Sequence, residues 1–172
     1  MRQWPLLAAL LLGACATSQA PAPVENAPMP TPATSPPPAS VAGPGTRIID
    51  RAAADRLLAA DGATLQWISW DRRGTVRVVE QGGTIRLDAA QDQPAGPGRL
   101  SVSGVVREIG SDYFILDGTI RITDAPDPGR RCEADKLWHF AVTQNRPYWR
   151  LREFEWCDGL TDYVDIYMAG TG

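Results

Sequence analysis

Leu137-Trp138-His139-Phe140-Ala141-Val142-Thr143-Gln144-Asn145-Arg146-Pro147-Tyr148-Trp149-Arg150-Leu151 is the stretch from which the fold is read. Folding it at Gln144-Asn145 sets Val142 against Pro147, Phe140 against Trp149 and Trp138 against Leu151. All six are apolar. Side chains alternate along a strand, so all six share one face. Continued outward, the same register sets Lys136 against Glu153, a rim ion pair, and Cys132 against Cys157 on the apolar face. Directly opposed residues have Cα atoms about 4.5–5.5 Å apart, within disulfide reach. A one-residue slip would break the apolar face, the charge pair and the cysteine pair together. Pro128-Gly129-Arg130-Arg131 interrupts regular pairing next to Cys132.

Working outward, the rest of the chain after Gly62 reads as short strands and turns. Strands are expected over 64–70, 75–80, 84–88, 100–107, 113–116, 119–123, 137–143, 148–156 and 162–168. Turn signals fall between them, including Gln81-Gly82-Gly83, Gly96-Pro97-Gly98 and Asp117-Gly118. Ile85 and Leu87 alternate with Thr84, Arg86 and Asp88, and Ile120 and Ile122 alternate with Thr119, Arg121 and Thr123. Each such strand has one buried and one wet face. Residues 48–60 form the one helix-like segment, with Ile49, Ala52, Ala53, Leu57 and Ala60 near helical spacing and Asp61-Gly62 as its stop. The fold class that follows is mainly β: a small antiparallel β-barrel with one N-terminal helix. A lipocalin-like meander comes first and an OB-like barrel second, the latter on Val102-Ser103-Gly104-Val105-Val106 followed by Tyr113-Phe114-Ile115-Leu116-Asp117-Gly118.

Ahead of the domain, Arg2 and the apolar run from Trp4 to Leu12 lead into Leu12-Gly13-Ala14-Cys15. This stretch resembles the signal peptide and lipobox of bacterial lipoproteins: an aliphatic residue, two small residues and a cysteine. The apolar run is shorter than the roughly 20 residues a membrane-spanning helix needs. The resemblance implies cleavage before Cys15, lipidation of Cys15 with palmitate-type chains, and a membrane anchor in the cell envelope. Ala16, in place of the aspartate that retains such proteins at the inner membrane, implies the outer membrane, with the domain facing the periplasm. Residues 20–45 are rich in Pro and Ala, so they favour an extended linker without a core. The organisation is thus a signal peptide (1–14), a lipidated N-terminus with its disordered linker (15–45) and a β-rich domain (46–172). With Cys15 taken by lipid in an oxidising compartment, Cys132 and Cys157 are left to form a disulfide. That link is worth about 3 kcal/mol on the chain-entropy account.

Composition limits the function classes. The net charge of -3 argues against a nucleic-acid partner, which calls for a basic excess. Zinc needs about four ligands, and His139 is the only histidine. There is no Gly-x-Ser-x-Gly elbow, His-Glu-x-x-His or phosphate-cradling loop, so no catalytic residue, metal site or cofactor is assigned. Asp158, Asp162 and Asp165 form an acidic cluster whose spacing does not fit an EF-hand.

The candidate ligand-binding residues are His139, Tyr148, Arg150 and Arg152, on the outer face of the hairpin, where the expected register sets His139 against Arg150. A cationic, aromatic-flanked surface of that kind grips a phosphate, a carboxylate or a sugar. Three functional readings stand. The first is a non-catalytic binding or interaction module for an envelope protein or glycan. The second is a small-ligand carrier with an aromatic-lined barrel. The third is a hydrolase using paired carboxylates, with Glu153 and Glu155 about 7 Å apart along one strand.

Overall fold

The computed structural model describes residues 45–171. The signal peptide, Cys15 and the linker, apart from Gly45, lie outside these residues. Ten elements follow in chain order: β1 (Arg47–Ile48), α1 (Arg51–Leu58), β2 (Gly62–Leu65), β3 (Thr75–Gln81), β4 (Thr84–Asp92), β5 (Arg99–Ile109), β6 (Tyr113–Thr123), β7 (Arg131–Ala141), β8 (Tyr148–Leu151) and β9 (Val164–Tyr167).

From β3 to β9 each strand pairs antiparallel with the next, and β2 pairs with β9, giving the order β2-β9-β8-β7-β6-β5-β4-β3. This up-and-down meander curls into a nearly closed antiparallel barrel, the first of the two expected arrangements. At the seam between β2 and β3, Gly74 N–H donates to the Ala63 carbonyl at 2.8 Å. Gln91, buried on β4, completes the seam: its Oε1 accepts from Leu65 N–H at 2.6 Å, and its Nε2 donates to the Ser69 and Arg72 carbonyls. One side chain therefore supplies bonds across the gap that a β2–β3 ladder would have closed.

The interior is packed with side chains. Trp138, Trp149, Phe114 and Phe140 are all buried. The Phe114 and Phe140 rings stack at 4.8 Å, and Trp149 meets Phe114 edge-on at 5.9 Å. Such pairs contribute about 0.5–1.5 kcal/mol each beyond the area they bury. Both ends are covered. At the end holding Ile109, Tyr113 and Tyr167, α1 presents Ala53, Ala54 and Leu57 inward. Its N-cap Asp50 accepts from Ala53 N–H at 2.7 Å, which fixes the helix start two residues after β1, short of the expected 48–60. Ile49, expected on the apolar face, lies before the helix and is exposed. At the opposite end, Trp67 and Ile68 of the 66–74 loop and Trp156 of the 152–163 strap pack against the core.

Four sequence expectations need correction. First, the turn does fall at Gln144-Asn145: Arg146 N–H donates to the Thr143 carbonyl, and both central residues have positive φ. The ladder, however, pairs Phe140 with Leu151 and Ala141 with Arg150. It sits two residues away from the expected register, while Val142 N–H donates to the Asp112 carbonyl on the β6 side. Two is an even shift, so every side chain keeps its face.

Second, 113–116 and 119–123 are one strand, β6. Gly118 is not a turn residue. It lies opposite Gly104, where a Cβ on either would collide with the neighbouring strand's backbone.

Third, the 64–70 strand stops at Leu65, whose carbonyl accepts from both Ile68 and Ser69 N–H as the chain turns back. The 66–74 loop then covers the outer faces of β2 and β9, so Thr64 and Asp165 are buried despite facing away from the core.

Fourth, the 148–156 strand ends at Leu151. Glu153 and Glu155 are therefore not on a regular strand, and the spacing argument for paired carboxylates no longer applies. Glu153 does not pair with Lys136. It accepts from His139 N–H at 3.1 Å, and Lys136 lies over the Trp138 ring.

Candidate binding groove and its supports

The disulfide is present. Cys132 on β7 joins Cys157 in the strap, with Cα atoms 5.9 Å apart. Regular strand pairing does not bring them together, since β8 ends at Leu151 and meets β7 only at Phe140 and Ala141. Beside it, Arg130 is the hub of a network that is buried at Asp162 and exposed at Asp158. Its Nε and Nη2 donate to Asp158 at 2.8 Å each, and its Nη1 and Nη2 donate to Asp162 at 2.9 Å each. Nη1 also reaches the Ala125 carbonyl at 2.9 Å. Asp162 has no exposed surface, and its Oδ1 also accepts from Trp67 Nε1 at 3.0 Å. The acidic cluster of the sequence is thus shared out among arginines, with Asp158 and Asp162 on Arg130 and Asp165 on Arg150.

The Arg130 guanidinium holds the Asp158 carboxyl below the usual carboxylate range. A depressed folded-state value means that the pair's contribution is complete above the unfolded pKa of about 3.9, and that it fades as pH falls through the lower folded value. We therefore expect Asp158→Asn to cost a constant amount of stability from near-neutral pH down to about pH 5, with the gap to wild type closing in stronger acid. Urea titrations across that range check this, and a gap that widens in acid would contradict it.

The expected ligand set divides. Arg150 donates to Asp165 through Nε and Nη2, both at 2.7 Å. Its guanidinium sits against the rings of Tyr163 at 4.2 Å, Tyr148 at 5.2 Å and Trp70 at 5.3 Å. Burial pushes the Asp165 carboxyl up against the opposing pull of Arg150. Tyr148 belongs to the same assembly, accepting from Arg146 at 2.9 Å and Arg150 at 3.3 Å. Arg152 lies over Phe154, and its backbone N–H donates to the His139 carbonyl. The structure therefore brings Tyr148 and Arg150 together in an ion-paired box. His139 stands apart from that box: Arg150 lies opposite Ala141 instead, and His139 meets Arg152 through the backbone.

His139 instead lines a groove of about 570 Å³ on the outer face of β5, β6 and β7. Its floor is Ile115 and Leu137, the latter 53% exposed. One wall comes from a β-bulge in β5 at Arg107, which places Arg107 and Glu108 in succession along the rim. Arg107 donates to Asp117 Oδ2 at 2.6 and 2.9 Å. Glu108 accepts from the Tyr113 hydroxyl at 2.6 Å, which holds that hydroxyl above its ordinary pKa, and from Arg47 at 2.8 Å. The other wall is His139 and Glu153, where the strap folds back along β7. Arg107, Asp117, Leu137 and Glu153 are groove residues that sequence reasoning missed as a group. The exposed Leu137, flanked by charged and buried residues on one strand, was the signal available.

The fold and groove define a class: a packed, end-capped up-and-down β-barrel with its concave surface on the outside. Within that class, a family model, the PM1083 family, matches residues 45–168, and the chain belongs to that family. It is 29% identical over 116 residues to Uncharacterized protein PM1083 of Pasteurella multocida (strain Pm70), covering 66% of this chain and 74% of that protein. No solved structure matches. Among the described residues, no helix is long and apolar enough to cross a membrane.

Proposed function

We propose that the protein is a lipid-anchored lipoprotein of the bacterial cell envelope. In this reading its periplasm-facing barrel is a non-catalytic binding module that works through its outer surface. The observation that carries the second half is the packed interior. Trp138, Trp149, Phe114 and Phe140 fill the space that a hollow barrel would offer a ligand, and α1 and the strap cover both ends. Recognition then falls to the outside, where the β5–β6–β7 groove has the volume of an ordinary small-ligand site. The anchor half rests on Leu12-Gly13-Ala14-Cys15 and on the Pro-rich stretch that follows it, long enough to hold a domain away from a bilayer. Lipidation at Cys15 and outer-membrane placement are parts of the same reading. The disulfide supports it, because such links persist in oxidising compartments.

The experiment is metabolic labelling with a fatty-acid analogue, followed by fractionation. The wild-type chain is expected to take the label and sediment with membranes, and Cys15→Ser to accumulate unlabelled and unprocessed. Equal labelling of both chains would refute the anchor.

A further inference from the structure

The groove has a chemical preference. Three carboxylates line it, from Glu108, Asp117 and Glu153, against one guanidinium, that of Arg107. Two of the three are already neutralised, Asp117 by Arg107 and Glu108 by Arg47 and the Tyr113 hydroxyl. Glu153 differs. Its Oε2 accepts one backbone N–H, from His139, and its Oε1 has no partner among the described residues. The His139 imidazole next to it touches Tyr113 edge-on at 5.6 Å and makes no hydrogen bond there. One wall therefore carries a full negative charge and an imidazole nitrogen, both available. The floor directly below is the exposed apolar side chain of Leu137 with Ile115 beside it.

We propose that this groove takes an organic monocation, an amine carried on a short apolar body, with Glu153 as its counter-ion. This rests on the reading of the groove as the protein's binding surface. The ammonium group donates to Glu153 Oε1 beside the His139 ring, and the hydrocarbon covers Leu137 and Ile115. A charge-assisted hydrogen bond is about twice as strong as a neutral one, so the amine is selected over an alcohol of the same length. A carboxylate of that length meets the repulsion of Glu153.

The test uses the full chain in nanodiscs, with Leu and Ile methyl groups isotope-labelled, titrated in turn with n-butylamine, n-butanol and butyrate at neutral pH. Butylammonium is expected to shift the Leu137 and Ile115 methyl signals saturably, with an affinity about five- to tenfold above butanol. Butyrate is expected to leave them in place. In Glu153→Gln, which keeps the bond to His139 N–H, butylammonium should fall to the affinity of butanol. Equal binding of amine and alcohol by wild type, or an unchanged amine affinity in Glu153→Gln, overturns the charge preference and leaves the groove as a binding surface. Methyl signals unmoved by all three probes overturn both.

Discussion

Replacing Arg130 with methionine in the oxidised protein is expected to cost about 3–5 kcal/mol. The Arg130 side chain is 6% exposed and serves three acceptor groups: Asp158, Asp162 and the Ala125 carbonyl. Without it, Asp162 remains fully buried with the Trp67 indole N–H as its one side-chain donor. A buried carboxylate in that position must either stay charged at high cost or take up a proton. For a domain of this size the melting temperature should drop by more than about 10 °C. Thermal unfolding followed by near-UV circular dichroism measures it. Because the cost comes mainly from the stranded charge, Arg130→Met combined with Asp162→Leu should recover a large part of the loss. A single variant that melts within about 3 °C of wild type would contradict the network's role.

The second large effect concerns the disulfide. Cys157→Ser removes a link that closes 25 residues of chain. The chain-entropy model gives about 3–4 kcal/mol for a loop of that length. The melting temperature should again fall by about 10 °C, and wild type treated with reductant should match the variant. An unchanged melting curve would remove the disulfide from the stability account. Arg130 and Cys157 fasten the same strap, so their effects should not add. With the strap already loosened by one change, the second finds less ordered structure to lose.

The architecture could be read from the sequence wherever alternation was strict. Ile85 and Leu87 on β4, and Ile120 and Ile122 on β6, are buried as their period-2 pattern requires. The hairpin survived a two-residue error in register because face identity depends only on parity: Trp138, Phe140, Trp149 and Leu151 are all buried. Where the reading failed, the cause was long-range. Gly118 looks like a turn residue locally, and only the close approach of Gly104 explains it as mid-strand. Thr64 and Asp165 are buried on their outer faces by a loop whose path nothing local dictates.

The site was less legible than the fold. His139 was singled out and does line the groove, yet its expected neighbour Arg150 is engaged by Asp165, from a different strand. The groove needs a bulge in β5, an exposed leucine on β7 and a carboxylate from the strap, and no single segment contains all three. Glu153 was expected as a partner of Lys136. The end of β8 at Leu151 redirects it along β7 to the His139 amide, which leaves one oxygen facing the groove.

The most direct test of a packed barrel that binds on its outside is a native mass spectrum of the protein purified under gentle, oxidising conditions. The account predicts the mass of the polypeptide with its covalent lipid, two hydrogens lighter than the reduced chain, and no retained small molecule. A stoichiometric ligand that is released only when the protein unfolds would contradict it, placing the binding space inside the barrel.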